Sequence, residues 1–134
     1  MKLKYLMVVN AVVDVIFGIG LVLVPGSVIS LFTPMPMYNP LATQLLGADL
    51  IGFAVLNFFV RNANEGNALL QPILLANLVS NAIGFVLALI VQLGGTATTP
   101  NWSTIVLTLL FTLGFAYFLL MSMRPSASLA GARQ

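Results

Sequence analysis

The chain has 134 residues, 60% hydrophobic and only 6% charged, with a mean hydropathy of +1.06 and a formal net charge of +2. Soluble domains carry about 25% charged residues, so five basic and three acidic side chains cannot clothe a water-facing globule of this length. Neither cysteine nor histidine occurs, which excludes disulfides, thiol redox chemistry, zinc sites, histidine-ligated haem and histidine acid–base catalysis.

About 20 apolar residues are needed to cross the hydrocarbon core as a helix. Four segments qualify: residues 5–24, 41–60, 69–93 and 102–123. The expectation is an all-α integral membrane protein, a compact four-helix bundle over residues 1–124 with a short polar tail, 125–134.

The first span follows Lys2 and Lys4 and places Asn10, Asp14 and Gly18 on one face at i, i+4, i+8. It is longer than a signal-peptide core, contains an acid and is followed by no A-x-A-like site, so it reads as a retained helix. Pro25-Gly26-Ser27 closes it. The short "VISLF" that follows, in a loop punctuated by Pro34, Pro36 and Pro40, is expected to lie along the outer interface.

Asn39-Pro40 supplies a cap and a first-turn proline for the second span. Its core, "LLGADLIGFAVLNFF", carries Asp49 on a face with Gly52, Phe53, Leu56 and Asn57. "RNANEGN" separates it from the third span, whose Ala76, Ser80, Gly84 and Ala88 recur every four residues. Such a small-residue seam lets a neighbouring backbone approach closely. Asn77 and Asn81 lie beside the seam, and Pro72 falls in the first turns. After "GGTATTPN", the fourth span presents Thr104, Thr108, Thr112 and Ala116 in one stripe, and Arg124-Pro125 ends it.

All five basic residues fall on one side of this topology, and the loops at 25–40 and 94–101 carry no charge. The positive-inside rule then predicts that both termini and the 61–68 loop of this multi-pass protein lie in the cytoplasm. The basic residues sit at chain ends and in one loop, not in a stripe, so nucleic acid is not an expected partner.

At 1.5 Å per residue, Asp14 lies about 13 Å and Asp49 about 16 Å from the cytoplasmic ends of their helices. Asn77, Asn81 and Thr112 fall at about 12, 18 and 16 Å on the same count. An acid at a helix centre costs about 2.5–3.5 kcal/mol on insertion scales, while an interhelical hydrogen bond returns about 0.6 kcal/mol on average. An asparagine would join helices for less. Both aspartates are therefore expected to point into the bundle, neutral or compensated by water or a bound cation, with Asn10, Asn57, Asn77 and Asn81 around them.

"NAVVDVIFG", residues 10–18, and "NLVSNAIG", residues 77–84, align Asn10 with Asn77 and Asp14 with Asn81. Gly52-Phe53-Ala54 parallels Gly114-Phe115-Ala116. The pattern reads as a parallel repeat of two hairpins about an axis along the membrane normal.

The succession "GLVLVPGSVISLF", "LLGADLIGFAVLNFFVRN", "NLVSNAIGFVLALI" and "LGFAYFLL" resembles small four-helix bacterial inner-membrane proteins of the DoxX-like and unknown-function kind. The resemblance spans residues 5–123 and is one of style, so it implies the fold and the membrane but carries no site residue. Functionally, the two midplane acids favour passage of a small solute, most simply a proton or monovalent cation, through an oligomer built around Asp14, Asp49, Asn77 and Asn81. The alternative is a non-catalytic subunit or assembly factor docked to a membrane partner. An intramembrane enzyme ranks last, because only Asp14 and Asp49 could act as acid and base. No cofactor or metal is expected.

Overall fold

The computed structural model describes residues 2–32, 39–63, 67–95 and 97–123. Among these residues the chain is all-helical: α1 (Leu3–Leu23), α2 (Pro25–Phe32), α3 (Pro40–Val60), α4 (Leu70–Leu93) and α5 (Asn101–Ser122). Four of them, α1, α3, α4 and α5, are long and apolar enough to cross a membrane. They match the four predicted spans to within two residues at each end. "VISLF" belongs to α2, whose eight residues reach about 12 Å, too short to span. The tail, Arg124, Arg133, Glu65 and the stretch with Pro34 and Pro36 lie outside the described residues.

The helix boundaries follow local chemistry. Asn39 Oδ1 accepts from the backbone N–H groups of Leu41 and Ala42 at 3.0 and 3.3 Å, with Pro40 at the first helical position. Arg61 caps the opposite end of α3, its guanidinium donating to Phe58 O and lying 3.6 Å from the Phe58 ring centroid. A cation there also complements the carbonyl end of the helix dipole. Asn67 Oδ1 accepts from Leu69 N–H at 2.9 Å ahead of α4. Beyond α4, Gly95 turns the chain at φ +70°, a conformation glycine adopts without steric cost.

The long helices pack as two antiparallel hairpins, α1 with α3 and α4 with α5, while α1 also touches α5 and α3 touches α4. All four converge at the end that carries the N-terminus. There Leu6 and Met7 of α1, Val60 of α3, Leu70 and Leu74 of α4, and Phe111 and Phe115 of α5 form one apolar core. Toward the other end the hairpins diverge, and α2 lies across the gap. Its last carbonyls reach the opposite hairpin: Phe32 O accepts from Thr98 N–H at 2.9 Å, and Leu31 O accepts from the Thr98 hydroxyl.

Outward-facing positions are mostly apolar along every long helix, including Ile16, Leu45, Phe59, Leu87 and Leu113, with Asp49 and Ser80 among the exceptions. A hydrocarbon solvent requires such a surface, and the backbone polar groups are satisfied within the helices. Tyr5 and Trp102 are exposed at opposite ends of the molecule, where interfacial aromatic rings belong.

The closest helix approach is not the one expected. Ala76 and Ser80 of the predicted seam are exposed, and Gly84 makes only ordinary contact distance with Thr108. Instead α1 and α3 cross at Gly18 and Gly47. A Cβ on Gly18 would stand 2.8 Å from Gly47 O, and one on Gly47 would stand 2.7 Å from Gly18 O. The predicted repeat partners Gly52 and Gly114 also differ, since Gly52 faces open space and Gly114 packs on Leu6.

Candidate functional site

One helical turn above the apolar core lies a layer of buried amides, because Asn10, Asn57 and Asn77 each stand three residues from Met7, Val60 and Leu74. Asn57 and Asn77 exchange two hydrogen bonds: Asn57 Nδ2 donates to Asn77 Oδ1 at 2.9 Å, and Asn77 Nδ2 donates to Asn57 Oδ1 at 2.7 Å. Asn77 Nδ2 also donates to Ile73 O at 2.9 Å, and Asn10 Nδ2 approaches Asn77 Oδ1 at 3.4 Å. Three helices from both hairpins therefore meet at one side chain, Asn77. Full satisfaction matters here, because an unpaired buried amide costs about 1–3 kcal/mol.

Asp14 stands one turn further along α1, half-buried, and its Oδ2 accepts from Asn10 Nδ2 at 2.6 Å. The i, i+4 spacing read in the sequence makes this contact. Asn81 occupies the matching turn of α4, donating through Nδ2 to Asn77 O at 2.9 Å. Of the described basic residues, Lys4 is about 15 Å along α1 from Asp14, and Arg61 sits at the far end of α3. Asp14 is thus set among neutral amides.

Above this level opens a cavity of about 520 Å³ between the two hairpins. Asp14, Asn81, Ser80 and Thr108 face it near the amide layer, and Phe17, Leu21, Ile29, Phe32 and Leu50 line the part toward α2. Phe17 and Phe32 lie against each other, with ring centroids 5.8 Å apart. The exposed lining residues are Leu46 on α3 and Ser80, Ile83 and Leu87 on α4, so the cavity opens sideways between those helices.

Asp49 does not join the cluster. Its side chain is exposed on α3, and among the described residues nothing bonds to it. It lies mid-helix as read, but the expected face differs: α3 turns Gly47, Ala54 and Asn57 inward, which carries Asp49 and Gly52 outward. Asp49 still borders the cavity mouth, because the lining residues Leu46 and Phe53 flank it at i−3 and i+4.

Further interhelical polar contacts escaped the sequence reading. Asn101, buried at the start of α5, donates to Ala88 O at 3.0 Å and to Gln92 Oε1 at 3.1 Å, clasping the α4–α5 hairpin. Gln44 donates to Val22 O at 3.0 Å across α1 and α3. Their signal was a polar residue at a helix start or one turn inside it. The Thr104–Thr112 stripe, by contrast, is spent within its own helix: Thr108 and Thr112 hydroxyls donate to the carbonyls four residues back at 2.8 and 2.7 Å.

The fold and site together define an all-helical chain with four membrane-length helices and a laterally open, amide-floored cavity holding one carboxyl group. Comparison with protein-family models, curated proteins and solved structures finds no match to this chain.

Proposed function

We propose that the protein is a multi-pass inner-membrane protein that moves a small solute, most simply a proton or monovalent cation, and that it does so as an oligomer. The observation that carries this reading is Asp14: a carboxyl group at the floor of a membrane-depth cavity, bonded by one amide and remote from the described basic residues. Ionisable groups inside the membrane commonly mark ion and proton pathways. Asn10 orients the carboxyl, while Asn57, Asn77 and Asn81 supply the surrounding dipoles. The apolar core and amide layer block the axis of a single chain, which supports a pathway completed by more than one copy.

Both termini face the cytoplasm in this reading, from the one-sided basic residues. The DoxX-like resemblance points to the same compartment. The meeting of Asn10 with Asn77 also suits two related hairpins, with Asp14 and Asn81 in corresponding places.

Purified protein in liposomes should collapse an imposed proton or sodium gradient, and Asp14→Asn should abolish the flux while leaving unfolding unchanged. Full flux in the variant, or none in the wild type, refutes the reading. A second reading, a non-catalytic subunit docked to a partner, is favoured by Asp49 beside Ala48 and Gly52, an exposed acid flanked by exposed small residues on α3.

A further inference from the structure

We propose that the solute taken up at Asp14 is a single-chain amphiphile with an ammonium head group, drawn sideways from the bilayer between α3 and α4. This rests on the reading of Asp14 as the solute site and names the class of molecule that the site fits.

Access is the first reason. At one end the cavity is floored by the Asn10–Asn77–Asn57 layer and, beneath it, the apolar core. Across the other end lies α2, held to the opposite hairpin through Thr98. The exposed lining residues are all on α3 and α4, so the open side faces the apolar phase. A molecule arriving by that route is already dissolved in lipid, whereas a hydrated ion would have to shed its water in hydrocarbon first.

Chemistry is the second. Among the described residues no group of three or more acidic side chains could hold a metal ion. The polar floor suits a donor instead. Asp14 Oδ2 takes the Asn10 amide, which leaves its other oxygen for a ligand. Asn81 spends its Nδ2 on Asn77 O, which turns its own Oδ1 away as a second acceptor, and the Ser80 hydroxyl stands at the mouth. An ammonium carries three donors and no acceptor. A carboxylate or phosphate head would meet Asp14 with like charge, and no described cation lines the cavity to offset it.

Size and shape are the third. A volume of about 520 Å³ lies within the range of small-molecule pockets. From Asp14 to Leu21 the wall runs about 10 Å along α1. On that hairpin it is apolar, with Phe17, Leu21, Leu46 and Leu50, while the facing hairpin adds Ile83, Leu87 and Leu107 together with Thr104 and Asn101. One alkyl chain fits that slot with its head at the floor.

The test uses the full chain in phosphatidylcholine nanodiscs at neutral pH, with decylammonium, decanoate and decanol as probes and calorimetric titration as the readout. Decylammonium should bind wild type about tenfold or more tightly than decanol or decanoate, as a charge-assisted hydrogen bond implies. Asp14→Asn should lose that preference by a similar factor, since partition into the lipid is common to both proteins. Ser80→Trp, which fills the mouth on an exposed position, should weaken all three probes. Equal binding of the three head groups by the wild type overturns the proposal even if Asp14→Asn fails to fold, and so does unchanged binding in Ser80→Trp. Proton or sodium flux without selective amine binding refutes this inference and leaves the transport reading standing. Selective amine binding without flux of any of these species does the reverse.

Discussion

Replacing Gly18 with alanine should destabilise the protein even though alanine is the better helix former. The added Cβ would stand 2.8 Å from Gly47 O and 2.7 Å from Ile51 Cγ1, and the first of these is backbone that no rotamer change can move. Relief requires α1 and α3 to separate along their shared seam, which loosens contacts such as Gln44 on Val22 O. Overpacking of a close contact costs about 1–3 kcal/mol, while glycine to alanine in a helix returns about 0.8–1 kcal/mol. The control is Gly52→Ala, where a Cβ meets nothing within 4 Å. It gains the same propensity and suffers no clash, so the difference between the two variants isolates the crossing. That difference should be about 2–3 kcal/mol, the upper part of the overpacking range, because the obstacle is a carbonyl. Reversible unfolding in mixed micelles, or steric trapping in bicelles, measures it directly. Equal stability of Gly18→Ala and Gly52→Ala would refute the claim that α1 and α3 meet through their glycines.

Removing Asn77 by Asn77→Ala leaves Asn57 and Asn10 short of a partner and should cost about 1–3 kcal/mol. A double-mutant cycle with Asn57→Ala should show coupling of roughly 0.6–1.7 kcal/mol, the span measured for interhelical bonds in lipid; a coupling near zero would remove the amide layer as a tie between the hairpins. A cysteine at exposed Thr99 should react with an impermeant thiol reagent from outside the cell, and one at exposed Ala68 only after the membrane is opened. The opposite pattern reverses the topology. Asp49→Leu should leave the unfolding of the single chain unchanged, since that side chain is exposed, and should shift the oligomer distribution in cross-linking or native mass spectrometry. An unchanged distribution would show that α3 does not carry the subunit contact.

Helix position along the chain was legible in the sequence and rotation was not. Length and hydropathy located all four spans, and the Asn39-Pro40 pair marked the start of α3, because those signals are local. The i, i+4 spacing of Asn10 and Asp14 likewise gave a real contact. In water a helix announces its buried face by putting charge on the other side. In lipid, Leu45, Val55 and Leu56 outside α3 are as apolar as Ala54 and Val60 inside it, so nothing in the pattern tells which way Asp49 turns. The small-residue stripe on α4 misled for a related reason. Small side chains permit close approach without demanding it, and the tight crossing uses a single glycine from each of α1 and α3, separated by 29 positions and without periodicity. The cavity was equally out of reach, since it arises from divergence of two hairpins and not from any one segment.

The bonds at Thr98 have a mechanical consequence. With the helices gathered into one core near the N-terminus, the two hairpins behave as the arms of a pair of tongs, and the amide layer is their pivot. From Asn10 to Leu21 each arm extends about 16 Å, so a swing of about 10° displaces the tips by about 3 Å. A side chain near the pivot scarcely notices such a swing, but a hydrogen bond at the tip cannot survive it. Thr98 grips Leu31 and Phe32 at that far point, where a weak latch has the greatest leverage over how widely the arms part.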